Sequence, residues 1–188
     1  AVVDHDHAVR RYCEGKGVLS YHEDFAAALE SGASGQLFVT NRIIPREQHS
    51  DRLLVLRPQD LCLGIGCNRG TSAFEIESVV AAHLERLSLS FKSVKYIATA
   101  QAKGDESGLL EFAAQSGVAI QLYQSDQLNG VDAPSPASDH AFAAIGAWGV
   151  AEPAALLASG GGRLLLHKVK SGNVTLAIAE IQAKSKAG

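Results

Sequence analysis

The sequence predicts an α/β fold: a mostly parallel sheet flanked by helices, with a C-terminal hairpin and a small N-terminal α/β segment. The first observation is that short apolar runs alternate with helix-like patterns between residues 60 and 122, with short joints between them. Such alternation is typical of parallel strands that are connected by helices. The second observation is a pair of strand-like runs near the C-terminus, separated by residues that favour a turn.

The first 58 residues predict the N-terminal α/β segment. Residues 7–12 are weakly amphipathic, and residues 23–29 begin with acidic side chains, the charge order that a helix dipole favours. Residues 36–40 and 53–56 are strand-like. Between them, the polar residues 41–51 contain a proline and predict a loop.

The next elements form the alternating part of the chain. Residues 61–65 are an apolar run without alternation, typical of a strand that is covered on both faces. Residues 71–87 carry apolar side chains at helical spacing. Residues 95–99 predict another buried strand and residues 118–122 a further strand, with a helix at 107–114 between them.

The last part predicts a polar loop at 129–138, then helices, then a hairpin. Pro153 lies where the first turn of a helix tolerates proline. Residues 169–172 favour the hairpin turn. The predicted helices are 142–145 and 152–157, and the predicted strands are 163–167 and 173–181.

Composition excludes several classes of protein. The 188 residues are 46% hydrophobic and 20% charged, with a net charge of −3, as expected for one soluble domain or two small ones. Basic residues are scattered and aromatic residues make up only 6%, which argues against nucleic-acid binding. No apolar run is long enough for a membrane span, and no secretory-signal pattern is present.

The cysteine and methionine content bears on the cellular compartment and on whether the chain is a fragment. Three widely spaced cysteines do not suggest a disulfide framework, so a reducing cytoplasm is the expected location. The sequence contains no methionine, even at position 1, which predicts that the chain is a fragment without its native start.

A glycine-rich turn follows the first buried strand. Gly64, Gly66 and Gly70 have the spacing G-x-G-x-x-x-G, whereas a dinucleotide site needs G-x-G-x-x-G and an acid after the next strand. Here that strand ends in Ala98-Thr99, and the Gly-Lys-Ser/Thr ending of a phosphate-binding P-loop is missing. We therefore expect neither a nicotinamide site, a flavin site nor a P-loop.

The turn still suits an anion. Glycines allow close backbone approach, and the helix that starts at Thr71 offers free N–H groups. The guanidinium of Arg69 matches carboxylate or phosphate. The alternative is a tight strand-to-helix joint with Arg69 in solvent. Anion binding is the favoured interpretation.

Cys67 lies near the same helix start, where the pKa of a thiol can be depressed and thiolate chemistry favoured. The alternative is a small, partly buried residue selected for its size. No histidine partner is close in the sequence, so the packing interpretation is favoured.

A second polar loop, residues 99–108, also follows a strand and precedes a helix. Because the carboxyl ends of parallel strands share one edge, this loop and the glycine turn are expected to face one cleft. Lys103 supplies a cation and Glu106 a possible acid or base. The alternatives are a surface lysine for Lys103 and a first-turn helix residue for Glu106.

Other candidates are less specific. Glu152 precedes Pro153, so helix capping is its simplest role, and Lys168 is either solvated or anion-binding. The seven histidines form no metal-ligand pattern. His5 and His7 could hold a transition metal weakly, and no metal site is predicted.

Four segments, in order and with matching spacing, resemble the C-terminal domain of the CbiG/CobE family of cobalamin biosynthesis. The resemblance covers residues 60–181, and residues 1–57 resemble more loosely the central region that precedes this domain in CbiG proteins. It implies a partial central region at 1–58 and the family domain at 59–188. The matching segments are 64–71, then Thr99 with Lys103, Glu106 and Leu109, then 150–156, and Lys168 with 174–179.

The resemblance implies a function. CbiG proteins are cobalt-precorrin-5A hydrolases, which open a δ-lactone on the corrinoid ring and release acetaldehyde, and CobE is a shorter relative. Glu106 is then the candidate base or acid, Lys103 the partner of the oxyanion or a carboxylate, and Glu152 a second carboxylate. The implied substrate-binding residues are Gly64, Gly66, Cys67, Arg69, Gly70, Thr71, Thr99 and Lys168.

The implied ligand is a precorrin or cobalt-precorrin, with no cofactor because cobalt is carried by the substrate. Other enzymes of the pathway or a second copy of the chain are the expected protein partners. Two departures matter: a CbiG protein has a further N-terminal domain, and Asn68 stands where the resemblance implies a basic residue. Two alternatives stay open: a non-catalytic corrinoid carrier of the CobE type, and an unrelated α/β protein that binds a phosphorylated metabolite.

Overall fold

The computed structural model describes residues 1–4, 19–22 and 24–181. The predicted helix at 7–12, the histidine pair near the N-terminus and Cys13 lie outside the described residues. The chain divides into two compact units. The first contains the described residues of Ala1–Gln59 together with Ser88–Ser93, and the second contains Asp60–Leu87 and residues 94 to 181. Their assignment to two regions of a CbiG protein stays a prediction.

The first unit is a four-stranded sheet in the order β2-β1-β3-β4, in which all pairs are parallel. Helix α1 (Phe25–Glu30) begins after Asp24, whose side chain accepts a hydrogen bond from the Ala27 N–H at 2.7 Å. The Phe25 ring stacks on Phe38 in the core. The strands are β1 (Val2–Asp4), β2 (Tyr21–His22), β3 (Gln36–Val39) and β4 (Leu53–Leu56).

Two features of this unit have no local signal in the sequence. The predicted loop contains a 3₁₀ turn, Arg46–Gln48. Residues 88–93, which include the 3₁₀ turn Phe91–Ser93, belong to this unit through hydrogen bonds from Ile43 N to Ser88 O and from Ser90 N to Asn41 O.

The second unit contains a five-stranded sheet in the order β7-β6-β5-β9-β8. Strands β5, β6 and β7 are parallel, and the β8–β9 hairpin adds to β5 in the antiparallel sense. The strands are β5 (Leu61–Cys67), β6 (Val94–Ala100), β7 (Ala119–Tyr123), β8 (Arg163–Ser171) and β9 (Val174–Glu180). The predicted α/β class is confirmed, and in this unit the parallel part is confined to three strands.

Five helices accompany this sheet in the described part of the chain. Ser72 caps α2 by accepting a hydrogen bond from Glu75 N at 3.2 Å, and Gly117 ends α3 in the left-handed conformation that glycine favours. The helices are α2 (Ala73–Arg86), α3 (Ser107–Ser116), α4 (Ser125–Asn129), α5 (Asp139–Ile145) and α6 (Ala151–Ser159).

The structure corrects one local prediction and adds one helix that was not predicted. Strand β8 continues through Ser171, so the hairpin turn is formed by Gly172 and Asn173 rather than by residues 169–172. Gly172 has a φ of 57°, which suits the first position of a two-residue turn. Helix α4 follows β7 directly and is too short to produce a recognisable apolar period.

Gly64 lies inside β5 rather than in the turn, and helix α6 explains why it is a glycine. A Cβ at this position would lie 1.8 Å from the Ala151 carbonyl oxygen. The close approach lets α6 pack directly on β5, with Ala154 and Ala155 fully buried. Packing therefore accounts for Gly64 without a ligand.

We predict that Gly64→Ala lowers the free energy of unfolding by about 3 kcal/mol, because α6 must move away from the sheet. Gly66→Ala is the matched control in the same strand. Its Cβ would meet Val150 at an ordinary 3.5 Å, so we expect a change below about 1 kcal/mol. Urea unfolding of both variants checks this, and equal effects would contradict the packing argument.

Candidate functional site at the carboxyl edge of the parallel strands

Two loops meet where β5 and β6 end. The first, residues 68–72, turns through Gly70, whose φ of 74° favours glycine, and is closed by a hydrogen bond from Thr71 Oγ1 to Asn68 O at 2.7 Å. The second contains the 3₁₀ turn Gln101–Lys103 and leads into α3. The parallel direction of β5 and β6 brings both loops to one edge of the sheet.

Helix α3 starts against the first loop. A Cβ on Gly108 would lie 2.0 Å from the Thr71 carbonyl oxygen, so only glycine permits this contact. Beneath the loops, the Thr99 hydroxyl donates to Ile65 O at 2.6 Å and ties β6 to β5. Thr99 is fully buried, which makes it a support of the site rather than a surface that a ligand can touch.

The carboxylate of Glu106 joins the two loops. Its Oε2 accepts a hydrogen bond from Gly70 N at 3.2 Å, and its Oε1 accepts one from Lys103 Nζ at 3.2 Å. Arg69 approaches Oε1 at 3.6 Å. Glu106 is only 5% exposed, and a buried carboxylate is costly unless it is paired in this way. The structure therefore brings Arg69, Gly70, Lys103 and Glu106 together.

This arrangement refines the expected anion site. The Lys103 ammonium, predicted as the partner of an oxyanion or a carboxylate, faces the protein's own carboxylate, and so does the Gly70 N–H. Arg69 differs, because its side chain is 70% exposed and its second partner, Asp105 at 3.4 Å, is equally exposed. A guanidinium has five N–H donors, so Arg69 keeps the capacity to bind a further anion.

Cys67 ends β5 beside this cluster. Burial raises the pKa of its thiol above 9.0, the positive charge of Lys103 opposes that effect, and the negative charge of Glu106 adds to it. The thiol is therefore protonated at neutral pH, in agreement with the interpretation of Cys67 as a small packed residue. Burial similarly raises the pKa of Cys62 to about 12.

Glu152 forms a second centre on the first turn of α6. Its Oε1 accepts hydrogen bonds from the Ser135 hydroxyl and from Lys168 N, both at 2.8 Å, and its Oε2 accepts one from Ser135 N at 3.0 Å. His167 Nδ1 lies 3.4 Å from Oε1. Glu152 is 1% exposed, and its contacts fasten the 130–138 loop to β8. The N-cap residue of α6 is Val150 and no side chain caps the helix, so the helix-capping interpretation of Glu152 is wrong.

These contacts also set the ionisation of Glu152. Burial by itself would raise its pKa, but the hydrogen bonds from Lys168 N, from Ser135 and from His167 favour the ionised form. Together they hold the pKa of Glu152 below its usual value of 4.5.

Lys168 belongs to this second centre. Its ammonium donates to the Pro136 carbonyl oxygen at 2.9 Å and remains on the surface. Among the described residues, no hydrogen bond or ion pair joins Glu152 or Lys168 to the Glu106 cluster. The predicted site residues therefore fall into two groups.

Sequence reasoning missed several contributors. Asn173 pairs with Asn68 at 2.8 Å and with Glu75 at 2.9 Å, so the hairpin turn braces the first loop. Asn68, which stands where a basic residue is implied, is thus used for this contact. Asp105 was visible as a neighbour of Glu106, whereas no sequence signal links Ser135 to Glu152 across 17 residues.

Comparison with known proteins decides the family. Residues 61–179 match the family described as Cobalamin synthesis G C-terminus. The chain belongs to this family. The matched range contains every residue of the two groups described above, from Gly64 to Lys168.

Named relatives of this CbiG family are of two kinds. The chain is 43% identical over 165 residues to a cobalt-precorrin-5A hydrolase of Priestia megaterium, covering 87% of this chain and 44% of that protein. It is 30% identical over 140 residues to the protein CobE of a Sinorhizobium species, covering 72% of this chain and 89% of that protein. The chain thus spans less than half the length of the hydrolase.

A solved structure supports the same family. The crystal structure of CobE, described as a protein from the cobalamin biosynthetic pathway, has a TM-score of 0.59 and 31% sequence identity to this chain. The alignment covers 64% of this chain and 89% of CobE.

The described residues contain neither a membrane-spanning helix nor a metal-binding cluster. None of their helices is long and apolar enough to cross a bilayer. Their His, Cys, Asp and Glu side chains form no group of three or more that could hold a metal ion. The expectation that cobalt is carried by the substrate stays a prediction.

We predict that Glu152→Gln makes stability less dependent on pH. Because the folded-state pKa of Glu152 lies below the unfolded-state value of 4.5, the carboxylate stabilises the fold above that pH. This contribution is lost as the pH falls through the folded-state pKa. At neutral pH the variant should lose about 1–3 kcal/mol, because an amide cannot satisfy all the buried donors.

Urea unfolding from neutral to acidic pH measures this effect, and the difference between the two proteins should shrink as the solution is acidified. Glu111→Gln is the matched control, since Glu111 is exposed on α3 and its carboxylate accepts a hydrogen bond from the nearby Gln115 side chain, at the surface. A difference for Glu152→Gln that is constant across the pH range would contradict the assignment.

Proposed function

We propose that this chain is the C-terminal, corrinoid-binding part of a cobalt-precorrin-5A hydrolase. The family match and the 43% identity to a protein of that name support the proposal. In this reaction water opens a lactone on the macrocycle. A carbon–carbon bond then breaks, so that a two-carbon unit leaves as acetaldehyde and the ring carbon takes up a proton.

The observation that carries the proposal is the Glu106 cluster at the carboxyl edge of β5 and β6. Lactone opening needs a base to take a proton from water and a positive group to stabilise the oxyanion. The later bond cleavage needs a base at the released hydroxyl and an acid at the ring carbon. Glu106 and Lys103, joined at 3.2 Å, supply an acceptor and a donor side by side.

Substrate binding is assigned to Arg69. A precorrin carries several carboxylates around an apolar ring, and an exposed guanidinium can pair with one of them by two parallel hydrogen bonds. Asp105, which shares Arg69 in the free protein, is exposed and readily replaced by a substrate carboxylate. In this assignment, Glu106 holds Arg69 near the edge of the sheet while the outer face of the guanidinium binds substrate.

Glu152 takes a different role in the proposal. Both of its oxygens accept hydrogen bonds from backbone N–H groups, those of Ser135 and Lys168, which are fixed in the fold. Oε1 of Glu106, in contrast, faces the side-chain ends of Lys103 and Arg69, which can move toward a substrate. We assign it to positioning the 130–138 loop rather than to proton transfer. We also retain the cytoplasm as the expected compartment, because Cys62 and Cys67 are free buried thiols.

A second function is favoured by one observation. The chain is 30% identical to a CobE protein, and the solved structure of CobE matches its fold with a TM-score of 0.59. In this second function, the chain would bind the corrinoid without converting it. Incubation with cobalt-precorrin-5A separates the two functions: acetaldehyde with a spectral change supports hydrolysis, and a spectral change without acetaldehyde supports the carrier function. If neither acetaldehyde nor a spectral change is observed, both functions are contradicted.

We predict that Glu106→Gln reduces acetaldehyde release at least about a hundredfold, the usual contribution of a general base. The amide keeps the size of the side chain and can still accept a hydrogen bond from Gly70 N. Glu111→Gln, on the same helix, is the control and should retain full activity. Undiminished acetaldehyde release in Glu106→Gln would remove Glu106 from the mechanism.

We predict that Arg69→Ala weakens binding of cobalt-precorrin-5A by roughly tenfold, the loss expected for one charge-assisted contact. Arg163→Ala is a close control, because Arg163 is 68% exposed and also pairs with an acid, Glu180, at 2.9 Å. Spectral titration gives both dissociation constants. Equal affinities of the two variants would exclude Arg69 as a specific contact.

A further inference from the structure

A cleft of about 230 Å³ lies beside the Glu152 centre. Its walls are the 131–137 loop, the segment Trp148–Val150 and the first turn of α6, and Lys168 lies at one side. The Glu106 cluster does not contribute to it. The cleft is therefore a separate surface of the second unit.

An exposed aromatic pair borders the cleft. The rings of Trp148 and Phe142 stack with centroids 4.0 Å apart and planes 17° apart, yet the two residues are 44% and 42% exposed. The backbone of Trp148 is fixed on both sides, since its N–H donates to Asn129 Oδ1 at 2.9 Å and its carbonyl accepts from Ser138 N at 2.8 Å. The pair is thus a flat apolar platform at a defined position.

The part of the wall formed by Glu152 and Lys168 is also fixed. Glu152 accepts hydrogen bonds from Ser135 and Lys168 N, and the Lys168 ammonium donates to Pro136 O. This ammonium uses one of its three donors and keeps two for an anion at the surface. Asp132 also lines the cleft, so an anionic group is expected on the Lys168 side.

The cleft and the Glu106 cluster lie at the same edge of the sheet. Ala147, next to the platform, packs in one buried cluster with Ala98 and Ala100 at the end of β6. Val150 packs on Gly66 near the end of β5, since a Cβ added to Gly66 would lie 3.5 Å from the Val150 side chain. Since neighbouring strands are about 4.8 Å apart, a macrocycle can span from one feature to the other.

We propose that this cleft is a second contact site for the corrinoid. The apolar macrocycle stacks on the indole ring of Trp148, and a peripheral carboxylate pairs with Lys168. The inference rests on the proposed function and deepens it, because it assigns where the apolar part of the substrate lies. Aromatic stacking serves the ring, and the two cation sites at Arg69 and Lys168 serve its carboxylates.

The test is the affinity for cobalt-precorrin-5A, measured by spectral titration. Trp148→Ala should bind roughly tenfold more weakly, and Trp148→Phe should recover most of the loss because it retains an aromatic ring. Leu122→Ala removes another exposed apolar side chain, 38% exposed on β7, and should bind like the wild type. The hydrogen bonds that fix Trp148 are made by its backbone and do not depend on the side chain, so the fold should persist in these variants, and urea unfolding verifies it.

A second measurement reports directly whether bound ligand covers the indole ring of Trp148. Trp148 is the single tryptophan of the sequence, so oxidation of tryptophan by N-bromosuccinimide, followed by mass spectrometry, reports this position alone. Bound cobalt-precorrin-5A should slow the oxidation several-fold.

The outcomes separate this inference from the proposed function. Wild-type affinity in Trp148→Ala together with unprotected Trp148 would overturn the cleft assignment while leaving the hydrolase proposal intact. If the wild-type chain binds no cobalt-precorrin-5A, the proposed function fails and the cleft assignment fails with it.

Discussion

The buried carboxylate of Glu106 is the interaction on which the candidate site depends. It receives the Gly70 N–H from one loop and the Lys103 ammonium from the other, and it holds Arg69 close to both. Without it, two cations and a free backbone donor would lie together at the end of two strands, with the exposed carboxylate of Asp105 as the counter-charge of Arg69 and no buried one. Glu106 therefore fixes the geometry of the loops as well as their electrostatic balance.

Small residues make this edge of the sheet possible. Gly108 lets α3 begin against the first loop, and Gly64 lets α6 pack directly on β5. The two contacts place one helix start beside the Glu106 cluster and another beside the aromatic cleft. Glycine thus serves here mainly to bring backbones together, whereas Gly70 provides the turn itself.

Charge is distributed between two fixed centres. Glu106 and Glu152 are both buried carboxylates, and each is surrounded by donors from a different part of the chain. The cations that they help to position, Arg69 and Lys168, extend to the surface. This pattern suits a large ligand with several separated carboxylates, because the cations stay in place in the absence of the ligand and less conformational entropy is lost on binding.

Sequence by itself determined the α/β class, the order of the main strands and helices, and the glycine turn with Arg69, Lys103 and Glu106 nearby. These depend on hydrophobic periodicity and on the rule that parallel strands share a carboxyl edge, both of which are local or topological. Only the tertiary structure decided that Glu106 faces inward to Gly70, that Glu152 binds Ser135 and Lys168, and that Trp148 borders a cleft. Those contacts join residues far apart in sequence through side-chain directions that no local pattern encodes.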